Sequence, residues 1–291
     1  MNYQSCQLCP RACGVDRTAG KTGFCGQTNQ VKIARAAPHF WEEPVLCGKG
    51  GSGTVFFSGC TLGCVFCQND EISHGGLGRE VSDLRNVFEH LIEQGVSNIN
   101  LVTATQFLPS ILPALTPKLP VPVVYNCGGY ESVETLKQLE GLVDIYLPDM
   151  KYSSNILAKR LSNAPNYAET SSAAILEMYR QVGKVQIENG LMKKGLILRH
   201  LILPGEIDNS LGVLDWVDEH FRPGEILFSL MSQYVPMGKA KTMEGINRPI
   251  TEMEYDAVLS YMELLGIEDG FTQEFSSAAE EYIPDWDFSG L

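Results

Sequence analysis

The feature that most constrains the fold of this chain is a series of short apolar segments, each followed by a stretch with helical periodicity. The apolar segments are Thr54–Ser58, Ile99–Thr103, Val121–Asn126, Val143–Leu147, Leu196–Leu203 and Ile226–Met231. They are rich in Val, Ile, Leu and Tyr and show no polar alternation, the pattern of strands covered on both faces of a parallel sheet. Between them, Val81–Gln94, Gln106–Leu115, Ser132–Leu139, Tyr167–Val182, Ser210–His220 and Thr251–Leu265 read as helices. Six β–α repeats with right-handed crossovers predict an α/β fold built on a curved parallel sheet, either a partial barrel or an open doubly wound sheet. In both, functional residues collect at the C-terminal ends of the strands.

The first part of the chain follows another rule. Residues 1–53 have little apolar period and many turn residues, and end in the glycine-rich link Gly48-Lys-Gly-Gly-Ser-Gly53. The expectation is a small cysteine-rich module over 1–53 and a catalytic domain over 54–291. A chain of 291 residues with 44% hydrophobic content can bury a core for both. Its net charge of −13 disfavours nucleic acid, because binding there gains from Lys and Arg releasing counterions. The acidic stretch from Glu252 to Asp287 reads as a solvated face. No run of eighteen apolar residues suggests a membrane span, and Met1–Pro10 has no apolar core of an export signal. Nine cysteines in such a chain point to the cytoplasm and to metal or redox chemistry rather than disulfides.

The cysteines fall into two groups. Ser58-Gly-Cys60-Thr-Leu-Gly-Cys64-Val-Phe-Cys67-Gln-Asn69 follows directly on the first strand of the repeat. Three thiolates this close can converge on one metal centre, and the glycines let the backbone curl. Three cysteines on a cubane cluster leave one iron open, which a ligand bearing an amine and a carboxylate can chelate. The competing reading is a structural zinc site that borrows its fourth ligand from the other group. That group, Cys6-x2-Cys9-x3-Cys13-x11-Cys25, offers four thiolates for zinc or a second iron–sulfur cluster.

The Cys60–Cys67 motif resembles that of the radical S-adenosylmethionine (SAM) superfamily. From Cys6-Gln-Leu-Cys9-Pro-Arg to Ile283-Pro-Asp-Trp286 the chain is similar to the pyruvate formate-lyase activating enzyme-like branch. The resemblance implies a partial (β/α)6 TIM-type barrel, a [4Fe-4S] cluster on Cys60, Cys64 and Cys67, and SAM across the strand ends. It implies reductive SAM cleavage to a 5′-deoxyadenosyl radical, a glycyl-radical type protein substrate, and an electron donor such as flavodoxin or ferredoxin. Phe66 matches the residue that packs near the adenine. Asp149-Met-Lys151 matches an Asp-x-Lys motif that contacts SAM and lines a cation site. Arg199 matches the arginine that reaches the SAM carboxylate or ribose. Where the superfamily carries Gly-Gly-Glu, this chain has Thr103-Ala-Thr105-Gln106, so Thr103 and Thr105 become the candidates for the SAM ammonium.

His200 reads as a satisfied structural residue and Cys127 as a small buried one, and Gln233 is a weak stand-in for a ribose contact. The alternatives are a radical SAM enzyme acting on a small molecule and a non-catalytic iron–sulfur electron carrier. A dinucleotide-dependent dehydrogenase is excluded, since no Gly-x-Gly-x-x-Gly follows the first strand.

Overall fold

A computed structural model describes residues 2–275 and 285–291, so Ile283 and Pro284 of the C-terminal similarity lie outside the described residues. The strands are β1 (Lys32–His39), β2 (Ser52–Phe57), β3 (Arg79–Glu80), β4 (Ile99–Val102), β5 (Val123–Cys127), β6 (Ile145–Pro148), β7 (Gln186–Glu188), β8 (Leu191–Leu201), β9 (Leu227–Met231) and β10 (Gly270–Thr272). They form one sheet in the order β10-β9-β8-β6-β5-β4-β2-β1-β3, with β7 paired to β8. From β2 to β10 each pairing along this path is parallel, while β1 joins β2 and β3 antiparallel. The sheet curves without closing, which is the expected partial barrel. The helices are α1 (Pro44–Cys47), α2 (Asp70–Ser73), α3 (Leu84–Glu93), α4 (Leu108–Ala114), α5 (Val133–Leu136), α6 (Asn155–Ser162), α7 (Tyr167–Val182), α8 (Ile207–His220) and α9 (Glu252–Leu264).

All six anticipated strands are present, with ends shifted by a few residues. Helix α7 has the anticipated bounds, and α9 starts at a capping box in which Thr251 and Glu254 satisfy each other's backbone N–H groups. The chief surprise is β1. Its sequence, Lys-Ile-Ala-Arg-Ala-Ala-Pro-His, has weak strand propensity, yet it pairs with β2 from Ile33↔Phe57 to His39↔Ser52. Long-range pairing overrides local preference here. Residues 32–53, expected within the cysteine-rich module, are therefore continuous with the barrel sheet, and the turn-rich segment proper covers residues 2–31.

Side chains alternate across the sheet, and the two faces do different work. Val55, Phe57, Leu101, Tyr125, Tyr146 and Leu198 pack outward against the helices in the main core. Each such buried side chain stabilises the fold by roughly 1.5–3 kcal/mol. Val124, Ile145, Leu147 and Ile197 point inward and pack on Leu46 of α1, which plugs the barrel beneath the strands. Phe56 and Val102 also face inward, where Trp286 from the C-terminal segment leans on Phe56 with ring centroids 5.2 Å apart. Above this inner packing the barrel is polar. Among the described residues no helix is long and apolar enough to cross a membrane.

Candidate active site

A cavity of about 220 Å³ opens inside the partial barrel at the C-terminal strand ends. Cys60, Cys64, Cys67 and Phe66 from the loop after β2 line it, with Thr103 after β4, Cys127 at the end of β5, Asp149 and Lys151 after β6, and Arg199 on β8. Eight residues singled out in the sequence as cluster or SAM contacts thus line one cavity. Cys127 is buried, as its composition-level reading expects.

The loop's conformation requires its glycine at residue 59. Gly59 has φ +84°, and a Cβ there would stand 2.5 Å from the Gln27 side chain and 2.6 Å from the Cys25 carbonyl oxygen. The sulfur atoms meet hydrogen-bond donors suited to thiolate. Leu62 N–H donates to Cys60 Sγ at 3.4 Å and the Ser162 hydroxyl to Cys64 Sγ at 2.9 Å. Burial and the neighbouring sulfurs push the Cys60 and Cys67 thiols up, Cys67 to about 11. A metal centre would supply the positive charge that draws those protons off. The soft three-sulfur donor set, the N–H and O–H donors and the nearby Lys151 ammonium all fit an iron–sulfur cluster. Among the described residues no three Cys, His, Asp or Glu side chains stand in ready metal-holding geometry.

Asp149 organises the opposite wall. Its Oδ1 accepts from Arg199 Nε at 2.8 Å, and its Oδ2 accepts from Lys151 Nζ. Burial would raise the Asp149 carboxyl, but Arg199 and Lys151 outweigh it and hold it below its usual value. Arg199 Nη2 also donates to Asn126 Oδ1 at 2.6 Å, and its Nη1 lies 3.5 Å from Glu42 Oε2. Tyr167 fixes the turn beneath by donating to the carbonyls of Gly128 and Asp149 and accepting from Lys151 N–H. Each charge in this wall has an opposite partner, as buried charges require.

Two features depart from the sequence reading. Thr105 does not line the cavity. Its hydroxyl, buried behind β4, donates to Glu131 Oε1 at 2.8 Å and meets the Tyr125 hydroxyl at 2.9 Å. Glu131 is wholly buried, and burial pushes its carboxyl up to about 8. Gln106 likewise turns away and donates to the carbonyls of Ser58, Gly59 and Thr103, tying the cysteine loop to β4. Of the altered Thr-Ala-Thr-Gln stretch only Thr103, at φ +55°, faces the cavity.

Glu42, missed in the sequence, lines the cavity floor from the β1–α1 connection and accepts from Asn100 and Asn126 as well as facing Arg199. Two acids before Pro44 are the signal that could have drawn attention. Burial pushes the adjacent Glu43 up to about 7. His200, beside Arg199, points to the other face of β8. Its ring nitrogens meet Met150 O at 2.7 Å and Ser210 Oγ at 2.8 Å, so it is structural, as anticipated. Gln233 lines the cavity, with its amide oxygen accepting from Gln273.

The four N-terminal cysteines lie in the segment packed over the outside of the same loop. Arg11 donates to the carbonyls of Thr61, Ser162 and Asn163, and Phe24 covers Gly63. Cys6 is buried, Cys9 and Cys25 are half-buried and Cys13 is exposed.

This open partial barrel is also the fold of solved proteins distant from the chain in sequence. The structure of SuiB from Streptococcus suis bound to precursor peptide SuiA matches with a TM-score of 0.52 and 13% identity, over 79% of this chain and 51% of that one. The present chain thus spans about half the length of SuiB. The FeFe-hydrogenase maturase HydG from Carboxydothermus hydrogenoformans matches with a TM-score of 0.51 and 13% identity, over 86% of this chain and 57% of HydG. No protein-family profile matches the chain. In sequence, the uncharacterized protein MJ0674 of Methanocaldococcus jannaschii is 30% identical over 276 residues, covering 90% of this chain and 75% of its own length. The chain belongs to the family of that protein.

Proposed function

We propose that the chain is a radical SAM enzyme acting in the cytoplasm, with a [4Fe-4S] cluster on Cys60, Cys64 and Cys67. The observation that carries this reading is the shared cavity, which sets those three cysteines opposite the Asp149–Lys151–Arg199 wall at the strand ends. When bound, such a cluster supplies the electron that cleaves SAM to methionine and a hydrogen-abstracting 5′-deoxyadenosyl radical. The chain's own residues bind and orient. Phe66, buried against Tyr234 with ring centroids 5.8 Å apart, gives the adenine an apolar surface. Thr103 and Asp149 offer acceptors to the SAM ammonium, and Lys151 and Arg199 offer donors to its carboxylate or ribose. Because Asp149 grips both cations, the wall is fixed before ligand arrives, which lowers the ordering cost of binding.

The substrate in this reading is a peptide or protein, as in the activating-enzyme-like branch. The use of the same fold by SuiB, whose structure holds a precursor peptide, supports it. A low-potential donor of the flavodoxin or ferredoxin kind would reduce the cluster, and Cys6, Cys9, Cys13 and Cys25 would hold a second metal, as zinc or an iron–sulfur cluster. Equilibrium SAM binding to anaerobically reconstituted protein tests the assignment. Arg199→Met weakens SAM binding at least tenfold while iron content holds; unchanged affinity contradicts the role given to Arg199.

A further inference from the structure

The four-cysteine segment contains a buried charge that no carboxylate among the described residues answers. Arg17 is fully buried, at 0% exposure. Its guanidinium donates to three carbonyl oxygens: Gln27 O through Nε at 3.0 Å, Gln106 O through Nη1 at 2.6 Å and Thr28 O through Nη2. Tyr3 and Phe107 present their rings to it, with centroids 4.8 and 5.7 Å away. Among the described residues no carboxylate forms an ion pair with it, whereas the half-buried cations Lys151 and Arg199 are both paired. Carbonyl dipoles satisfy its N–H groups but leave its net charge unmatched, and a buried charge without an opposite partner is strongly unfavourable.

The group beside Arg17 is the cysteine set. Arg17 Nη1 lies 3.8 Å from Cys6 Sγ. Cys9, Cys13 and Cys25 belong to the same turn-rich segment, and Cys13 Sγ lies 3.9 Å from Cys6 O. The backbone already gathers them: Cys6 N–H donates to Val15 O, Gly14 N–H to Cys6 O and Ala12 N–H to Cys9 O. Cys13 Sγ rests against Gly23, two residues before Cys25.

We infer that Arg17 is the built-in counter-cation of an anionic tetrathiolate metal centre on Cys6, Cys9, Cys13 and Cys25. Four thiolates on a divalent metal carry a net charge of −2, and a four-cysteine cubane in its usual oxidised form carries the same, so either satisfies Arg17. On binding, each thiol releases its proton to solvent, and the buried cation gains the anion it lacks. Arg17 also couples this centre to the cavity. It holds the Gln106 carbonyl, and the Gln106 side chain holds Ser58, Gly59 and Thr103, the base of the Cys60 loop. This inference rests on the four-cysteine site proposed above and stands apart from the radical reaction.

The test uses the full chain carrying Cys60→Ala, Cys64→Ala and Cys67→Ala, so that bound metal reports on the N-terminal set alone and radical chemistry plays no part. Zn(II) is titrated in competition with a chromophoric chelator, and iron and sulfide are counted after anaerobic reconstitution. One zinc, or one sulfide-containing cluster, per chain is expected, and sulfide separates the two. Arg17→Gln should weaken Zn(II) binding at least tenfold, while Arg17→Lys retains most of it. Arg17→Gln should also lower the thermal midpoint of the zinc-loaded protein more than that of the stripped protein, whereas a packing role alone would lower both equally. Should Arg17→Gln fail to fold, Cys13→Ser at the exposed ligand decides: it should abolish tight Zn(II) binding. Failure of the parent to bind metal, equal affinity in Arg17→Gln, or undiminished affinity in Cys13→Ser would overturn the assignment.

Discussion

The two cysteine groups of this chain are neighbours in space and opposites in setting. Cys60, Cys64 and Cys67 line a cavity shared with Asp149, Lys151 and Arg199, where a small ligand has room to approach. Cys6, Cys9, Cys13 and Cys25 lie in a turn-rich segment over the outside of that loop, beside the buried Arg17. Three ligands facing a cavity suit chemistry, because one coordination position stays open, while four gathered in turns suit a closed centre that holds structure. The seam between them is tight. Arg11, Phe24, Gln27 and the Cys25 carbonyl press on residues 59–63, so one region sets the shape of the other.

Substitutions on the two sides of this seam should separate the roles. Cys64→Ala is expected to abolish SAM cleavage, read as 5′-deoxyadenosine, and to leave metal at the N-terminal set. Cys13→Ala is expected to leave cleavage measurable in protein that stays folded. Equal and complete loss in stable Cys13→Ala protein would make the N-terminal centre a relay for electrons and erase the contrast.

Asp149→Ala comes next in size. It leaves Lys151 without its partner and Arg199 with Glu42, at 3.5 Å, as its remaining carboxylate, and breaking a buried ion pair costs about 3–5 kcal/mol. Denaturant unfolding measures this loss, and a change under 1 kcal/mol would show that the wall is not prearranged. Gly59→Ala strikes the seam itself. Positive φ and contacts of 2.5–2.6 Å should cost about 2–4 kcal/mol and reduce iron retained by the loop. Full retention of iron and stability would mean that the two regions are not pressed together.

Acid should act on the barrel side through His200. Burial lowers its folded value to about 4 from an ordinary 6.5, so the neutral ring is the stable form in the native state. Its contribution, roughly 3 kcal/mol, is complete above pH 6.5 and is lost as pH falls toward 4. In His200→Gln that part of the acid sensitivity should disappear, which the slope of unfolding free energy against pH will reveal. An unchanged slope would assign the sensitivity to other groups.

Much of the fold was readable because its strands are apolar on both faces and some of its helices are strongly periodic, α3 most clearly. What escaped was non-local. Strand β1 is Ala-rich and carries Pro38, and it exists because β2 offers an unpaired edge. Helix α6 is short, and its place below the cavity comes from Tyr152 and Cys64 meeting Ser162. In the site, the cysteine spacing was legible from local order, and the Asp149-Met-Lys151 triplet through its resemblance to the activating-enzyme motif. Glu42 was not, because its meaning depends on Arg199, which lies far along the chain and across the barrel. Thr105 misled for the opposite reason. Its neighbour Thr103 faces the cavity, but a short 3₁₀ turn over Thr105–Phe107 carries Thr105 to Glu131.

The most direct test of the central assignment is anaerobic. The full chain is reconstituted with iron and sulfide, reduced with dithionite and given SAM, and 5′-deoxyadenosine is measured beside Cys64→Ala. A radical SAM enzyme yields deoxyadenosine in the wild type and none in the variant. A wild-type protein with an intact, reducible cluster that neither binds SAM nor forms deoxyadenosine would contradict it.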